Sequence, residues 1–156
     1  MRRIFYARTQ SMPHTFRTTR RVEFCDTDAA GIVHFSRFFI YMETAEHELL
    51  RSVGLSVMQA EETGHHITWP RVATHCHYHR PARFEEELTI EVVIERLGEK
   101  SITLHHRFLN GEHLLAEGKM TNVCCRLEAG RPLQSIPIPA SIREKLAPYV
   151  ANSEQK

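Results

Sequence analysis

Two aspartates set two positions apart, Asp26 and Asp28, stand where an alternating segment ends and a helix-forming segment begins, with Gly31 three residues further on. This order can place a carboxylate beside the free N–H groups of a helix start, which favour negative charge. Such a pairing suits reaction at a carbonyl: the carboxylate acts as nucleophile or base, and the amides take the charge that develops on oxygen. The plainer reading of both aspartates is structural, because Asp readily bonds nearby backbone in a turn.

Other residue types able to do chemistry are scattered. His75, His77 and His79 alternate on one face of an extended segment, with Cys76 and Tyr78 on the other. They span about 13 Å end to end, too far for one zinc ion without ligands from elsewhere, so no metal is expected. His65-His66 and His105-His106 point to opposite faces of any strand. Arg80, Arg83 and Lys100 could meet a phosphate, or could be ordinary surface cations. Trp69 reads as a core or pocket wall. The four cysteines, Cys25, Cys76, Cys124 and Cys125, form no C-x-x-C pair, and a vicinal pair is a poor disulfide framework. A reduced, cytoplasmic setting is the expectation.

The elements that must position the aspartates follow from periodicity. Residues 15–24 read as a strand with Phe16, Val22 and Phe24 on one face. The turn 25–31 leads to a helix over 36–53, with Ser36 as N-cap and Gly54 as the residue that stops it. Phe38, Met42, Ala45, Leu49 and Val53 form its apolar stripe, widened by Phe39 and Leu50, and Glu43, Glu46, His47 and Arg51 lie off that stripe. Residues 55–64 read as a helical turn or a loop over the site. Strands follow at 67–80, 85–97, 100–109 and 113–128, the last two joined by an Asn110-Gly111 hairpin. A short helix over 140–146 closes the chain. One strand, one helix and four strands in meander order read as α+β: a curved antiparallel sheet of about five strands wrapped around one long central helix.

At 156 residues, 42% hydrophobic and 25% charged, the chain is expected to be a single domain over 13–150, preceded by a mobile tail at 1–12. A formal charge of +1 supplies no global field for nucleic acid or membrane. No apolar run approaches the roughly 18 residues that a membrane span needs. No secretory h-region is visible. The open edge of such a sheet favours self-association.

The run Glu-Phe-Cys-Asp26-Thr-Asp28-Ala-Ala-Gly31-Ile-Val-His34-Phe35, entering an aromatic-rich helix, resembles the hotdog-fold acyl-CoA thioesterases of the 4-hydroxybenzoyl-CoA thioesterase and YbgC-like group. Trp69-Pro70-Arg71-Val72, the stretch from Arg80 to Leu88, Lys100-Ser101 and the stretch from Ile136 to Pro139 add to it, so that the likeness covers roughly residues 16–148. The resemblance implies a hotdog fold and hydrolysis of an acyl-CoA to a carboxylic acid and free CoA, with no cofactor. It makes Asp28 the catalytic nucleophile or general base. The Phe35 N–H becomes the oxyanion donor, with Gly31 and His34 beside the substrate. It carries CoA binding to Lys100, Trp69, Pro70 and Arg71. Gly98 and Glu99 stand where a family member has basic residues, so an acyl-carrier-protein thioester is an alternative substrate. A homodimer or homotetramer is implied, with the site between subunits. Glu43 is a second carboxylate to consider, since another hotdog clade uses one from the helix. Two further readings are a hotdog dehydratase, for which only His34 lies near the turn, and a non-catalytic acyl-thioester-binding protein.

Overall fold

The computed structural model describes residues 14–151, so the reading of residues 1–12 as a tail lies outside the described residues. Phe16–Arg21 forms β1, and a single 3-10 turn over Phe24–Asp26 leads through a loop into helix α1, Arg37–Ser52. Three strands follow: β2 at Met58–Ala60, β3 at His66–Thr68 and β4 at Arg71–Tyr78. The long strands are β5, Glu87–Leu97, β6, Ser101–Asn110, and β7, His113–Val123. Short strands β8, Cys125–Leu127, and β9, Gln134–Ser135, precede helix α2, Ala140–Leu146.

The main sheet has five antiparallel strands in the order β1-β5-β6-β7-β4, with α1 packed against its inner face. Leu88, Ile90, Val92 and Ile94 of β5 alternate inward and are fully buried. From α1 they face a stripe of Phe38, Tyr41, Met42, Ala45, Leu49 and Leu50. The helix stops with paired bonds from the Gly54 N–H to the Arg51 carbonyl (3.0 Å) and from the Leu55 N–H to the Leu50 carbonyl (2.8 Å), which satisfy carbonyls of the last turn.

Four expectations are corrected. Only β5, β6 and β7 pair in meander order: β4 crosses the sheet and pairs with β7 at the far edge, while β5 pairs with β1. The expected strand over 67–80 breaks at Trp69-Pro70, where proline removes a ladder donor, and the strand over 113–128 breaks at Cys124. The pieces β3 and β8 join β2 and β9 in a second, four-stranded sheet, so residues 55–64 contribute a strand rather than a helical turn. Glu46 is not off the packed face but only 2% exposed. It sits one turn from Met42, where Asn122 donates to it at 2.6 Å and Arg71 at 2.9 Å. Burial raises the Glu46 pKa, and the Arg71 charge opposes that rise. Among the described residues, no helix is long and apolar enough to cross a membrane.

The approach of α1 to the sheet depends on Gly118 of β7. A Cβ there would meet Met42 Sδ at 2.6 Å and the His75 carbonyl oxygen at 2.8 Å. The thioether can turn aside; the carbonyl belongs to a strand paired with β7 and cannot. Gly118→Ala is expected to lower the unfolding free energy by about 1–3 kcal/mol, the usual cost of overpacking, as read from the urea midpoint at unchanged m-value.

Candidate active site

The loop between β1 and α1 is held by Asp26. Its carboxylate accepts bonds from the Glu23 N–H (3.0 Å), Tyr41 OH (2.7 Å) and Arg37 Nε (2.6 Å), and it is almost wholly buried. Burial pushes its pKa up, but the bonds from Tyr41, Glu23 and Arg37 outweigh it, and the pKa is held below the usual aspartate value. The Asp26 carbonyl also accepts the His34 N–H at 2.8 Å, closing the loop at its far end. Asp26 is therefore spent on structure.

Asp28 is arranged differently. The Asp28 carbonyl accepts the Gly31 N–H and the Asp28 N–H reaches the Ile32 carbonyl, both at 2.9 Å. These bonds make a tight turn below a bridge between Thr27 and Val33. Its Oδ1 accepts the Ala30 N–H at 2.8 Å, and among the described residues no cation pairs with its carboxylate. Gly31 takes φ +71°, where an added Cβ would meet nothing within 4 Å, so the position is restricted by conformation alone. Gly31→Ala is expected to cost about 1–2 kcal/mol in a thermal melt for that reason.

The turn forms one wall of an open cleft of about 420 Å³. Asp28, Ile32, Val33 and Phe35 line one side, with Phe38 of α1; Tyr78 and residues 79–82 line the other. The Val33 N–H to Ala82 carbonyl bond, 2.8 Å, fixes the two walls together. Phe35 precedes the first turn of α1, is 58% exposed, and its N–H donates to no group among the described residues. Asp28 and Phe35 are thus brought to one cleft that holds a carboxylate, a free amide at a helix start and mainly apolar walls. Such a cleft can accept a carbonyl compound, attack it and stabilise the oxyanion.

The remaining candidates, apart from His79 and Arg80, which line the cleft, are placed elsewhere within the chain. His34 does not line the cleft: its Nδ1 lies 2.8 Å from Ser36 Oγ and accepts the Ser36 N–H at 3.4 Å, so its ring serves the start of α1. Trp69 is buried between α1 and α2, beside Leu49, Ile102 and Leu146. Arg71 follows Pro70 at the start of β4 and is occupied by Glu46 and Glu43, the latter at 3.3 Å. Lys100 is exposed in the β5–β6 turn, whose carbonyls at Leu97, Gly98 and Glu99 accept bonds from Arg143. His75 and His77 lie on the outer face of the sheet with ring centroids 5.6 Å apart, and Glu117 bonds His79 at 3.1 Å. Among the described residues, no three side chains of metal-binding type converge.

Tyr78, Pro81 and Ala82 were not among the candidates drawn from the sequence, whereas His79, one of the three alternating histidines, and the cation Arg80 were, and both line the cleft. The signal for Tyr78 was its alternation with the exposed histidines, which turns it to the helix side of β4. Pro81 and Ala82 reach the cleft only through the chain reversal after that strand.

The sequence matches the thioesterase-like superfamily over residues 22–146. It is 33% identical over 120 residues to a 1,4-dihydroxy-2-naphthoyl-CoA hydrolase of Synechococcus sp. WH7803, covering 72% of this chain and 78% of the relative. It is 31% identical to the acyl-CoA thioester hydrolase YbgC of Escherichia coli O6:H1, covering 70% of this chain and 81% of that protein. The structure of a gentisyl-coenzyme A thioesterase superposes with a TM-score of 0.72 at 30% identity, covering 85% of this chain and 99% of the other.

Proposed function

The chain belongs to the thioesterase-like superfamily, and from that membership we propose that it hydrolyses acyl-CoA thioesters with Asp28 as nucleophile or general base and the Phe35 N–H as oxyanion donor. The observation that carries the reading is the meeting of the Asp28 carboxylate and the unpaired Phe35 N–H in one cleft at the start of α1. With the thioester oxygen at that N–H, charge developing on oxygen meets a fixed dipole without reorganisation. In the general-base route Asp28 takes a proton from water as its oxygen bonds to the carbonyl carbon. The C–S bond then breaks, and the thiolate recovers the proton. In the nucleophilic route the carboxylate itself adds, the thiolate leaves, and water hydrolyses the resulting anhydride. A carboxylate is a weak base, so most of the acceleration comes from positioning and from the oxyanion contact.

The chain is read as assembling into a homodimer or homotetramer. β4 is an edge strand of eight residues, and its free side can pair with a second copy. In an antiparallel β4–β4 pairing about the middle of the strand, the Pro70-Arg71 end of one copy meets the Tyr78 end of the other. That arrangement would bring Pro70 and Arg71 to the rim of the other copy's cleft, where they could serve the CoA arm with Lys100, while Trp69 backs them from the core. Gly31 shapes the turn under the substrate, and His34 bonds Ser36 where the helix begins.

The test is a panel of aliphatic and aromatic acyl-CoAs with free thiol as the readout. Turnover of at least one is expected. Saturable binding without thiol release would sink the hydrolase reading and leave a thioester-binding protein.

A further inference from the structure

Phe35 has an exacting task and few restraints. It lies before the first turn of α1 and is 58% exposed; its ring meets the His34 ring at 4.5 Å, and the peptide that carries its N–H is held by the Arg37 N–H, which donates to the His34 carbonyl at 2.9 Å. Its neighbours are tied: the His34 N–H bonds the Asp26 carbonyl at 2.8 Å, and the Ser36 N–H reaches back to His34 Nδ1 at a long 3.4 Å. The Phe35 backbone itself receives one hydrogen bond among the described residues. The Tyr78 hydroxyl, on β4 across the cleft, donates to the Phe35 carbonyl at 3.1 Å.

The tyrosine is well placed to act as an anchor. Its ring packs edge-on against Phe38, with centroids 5.4 Å apart, and Phe38 packs against the buried Phe108 at 5.1 Å. A chain of aromatic contacts thus runs from the sheet core to the hydroxyl. Burial, then the neighbouring Cys76, push the hydroxyl pKa up to about 12, so it remains a donor through the neutral and mildly alkaline range.

We propose that Tyr78 is a positioning residue: by holding the Phe35 carbonyl from β4, it sets the orientation in which the Phe35 N–H meets the thioester oxygen. This rests on the thioesterase reading above, because it is that reading which gives the N–H a task. The hydroxyl need not touch substrate. Its effect runs through the backbone of residue 35, and an oxyanion donor misaligned by a fraction of an ångström stabilises the transition state less while leaving ground-state binding nearly intact.

Tyr78→Phe keeps the ring and its contacts with Phe38 and removes only the donor. For the acyl-CoA that the wild type turns over best, kcat is expected to fall about three- to tenfold, the scale of one neutral hydrogen bond. KM and the melting temperature should remain near wild type. The NMR order parameter of the Phe35 amide, measured on both proteins without substrate, should fall in the variant. An unchanged kcat with an unchanged order parameter overturns the proposal. So does a loss expressed in KM and melting temperature, which would mark Tyr78 as a packing residue. A wild type that releases no thiol fails the hydrolase reading on its own, before any variant is compared. The hold of Tyr78 on Phe35 is then decided by the order parameter alone, with a lower value in the variant supporting it and an unchanged value overturning it.

Discussion

Asp28→Asn is expected to reduce kcat for thioester hydrolysis by about 10²- to 10⁴-fold, the range for loss of a positioned acid–base group, while KM and stability change little. Asparagine is the informative substitution because of what Asp28 does in the turn. Its Oδ1 accepts the Ala30 N–H, and the amide oxygen of asparagine can accept the same bond. Alanine would remove that bond as well and mix a change of loop shape into the rate. Asparagine removes only the negative charge, and with it both the nucleophile and the base. Thiol release under saturating substrate, with a thermal melt on the same samples, checks the prediction. Activity within tenfold of wild type would move the chemistry off Asp28. Glu43 would be a poor heir, since its carboxylate is turned to Arg71 and does not line the cleft.

Acid should destabilise the fold well above the pH at which carboxylates protonate, and His106 is the cause. It is fully buried under α1 between Val92 and Gly118 of the neighbouring strands, and neither ring nitrogen makes a well-aligned hydrogen bond. Burial first, then the adjacent His105, push its pKa down to about 3, against a smaller upward pull from the backbone at Met42 and Gly118. An unfolded histidine titrates near 6.5. Below about pH 6.5 the unfolded chain takes up a proton that the folded chain refuses, so stability is complete above that value and falls as pH drops toward 3. At roughly 1.4 kcal/mol per pH unit, the loss is about 2 kcal/mol at pH 5 and about 3 kcal/mol at pH 4. His47, whose pKa is also lowered, chiefly by burial, adds in the same direction. The carboxylate of Asp26, held below the usual value, contributes only at lower pH. Urea midpoints from pH 7 to pH 4 should show this slope in the wild type and a much flatter one in His106→Leu. Equal slopes in the two proteins would remove His106 as the source.

Much of the fold was legible because its signals are local. The alternation of Leu88, Ile90, Val92 and Ile94, the Asn110-Gly111 turn and the stripe from Phe38 to Leu49 each depend on a few neighbouring residues and a fixed period. Strand order was not legible, since β4 pairs with β7 rather than with β5, its neighbour in sequence, and no local pattern records which edge of a sheet a strand joins. Glu46 was misjudged for a related reason. A helix face is apolar only on average, and a carboxylate can be buried when Arg71 and Asn122, 25 and 76 residues away, arrive to satisfy it.

For the site, the residues from Asp26 to Phe35 were sufficient to mark a carboxylate turn feeding a helix start, because turn and helix-entry chemistry is written within ten consecutive positions. Sequence also carried the family motif, and with it the expectation that Asp28 rather than Asp26 does the work. Only the tertiary structure decided how the two aspartates differ, since Tyr41 and Arg37 come round on α1 to occupy Asp26 and leave Asp28 facing the cleft. Only it placed Tyr78 against the Phe35 carbonyl, 43 residues away. Contacts of that range depend on the curvature of the sheet and the depth of the helix within it, and those are set by the whole core at once.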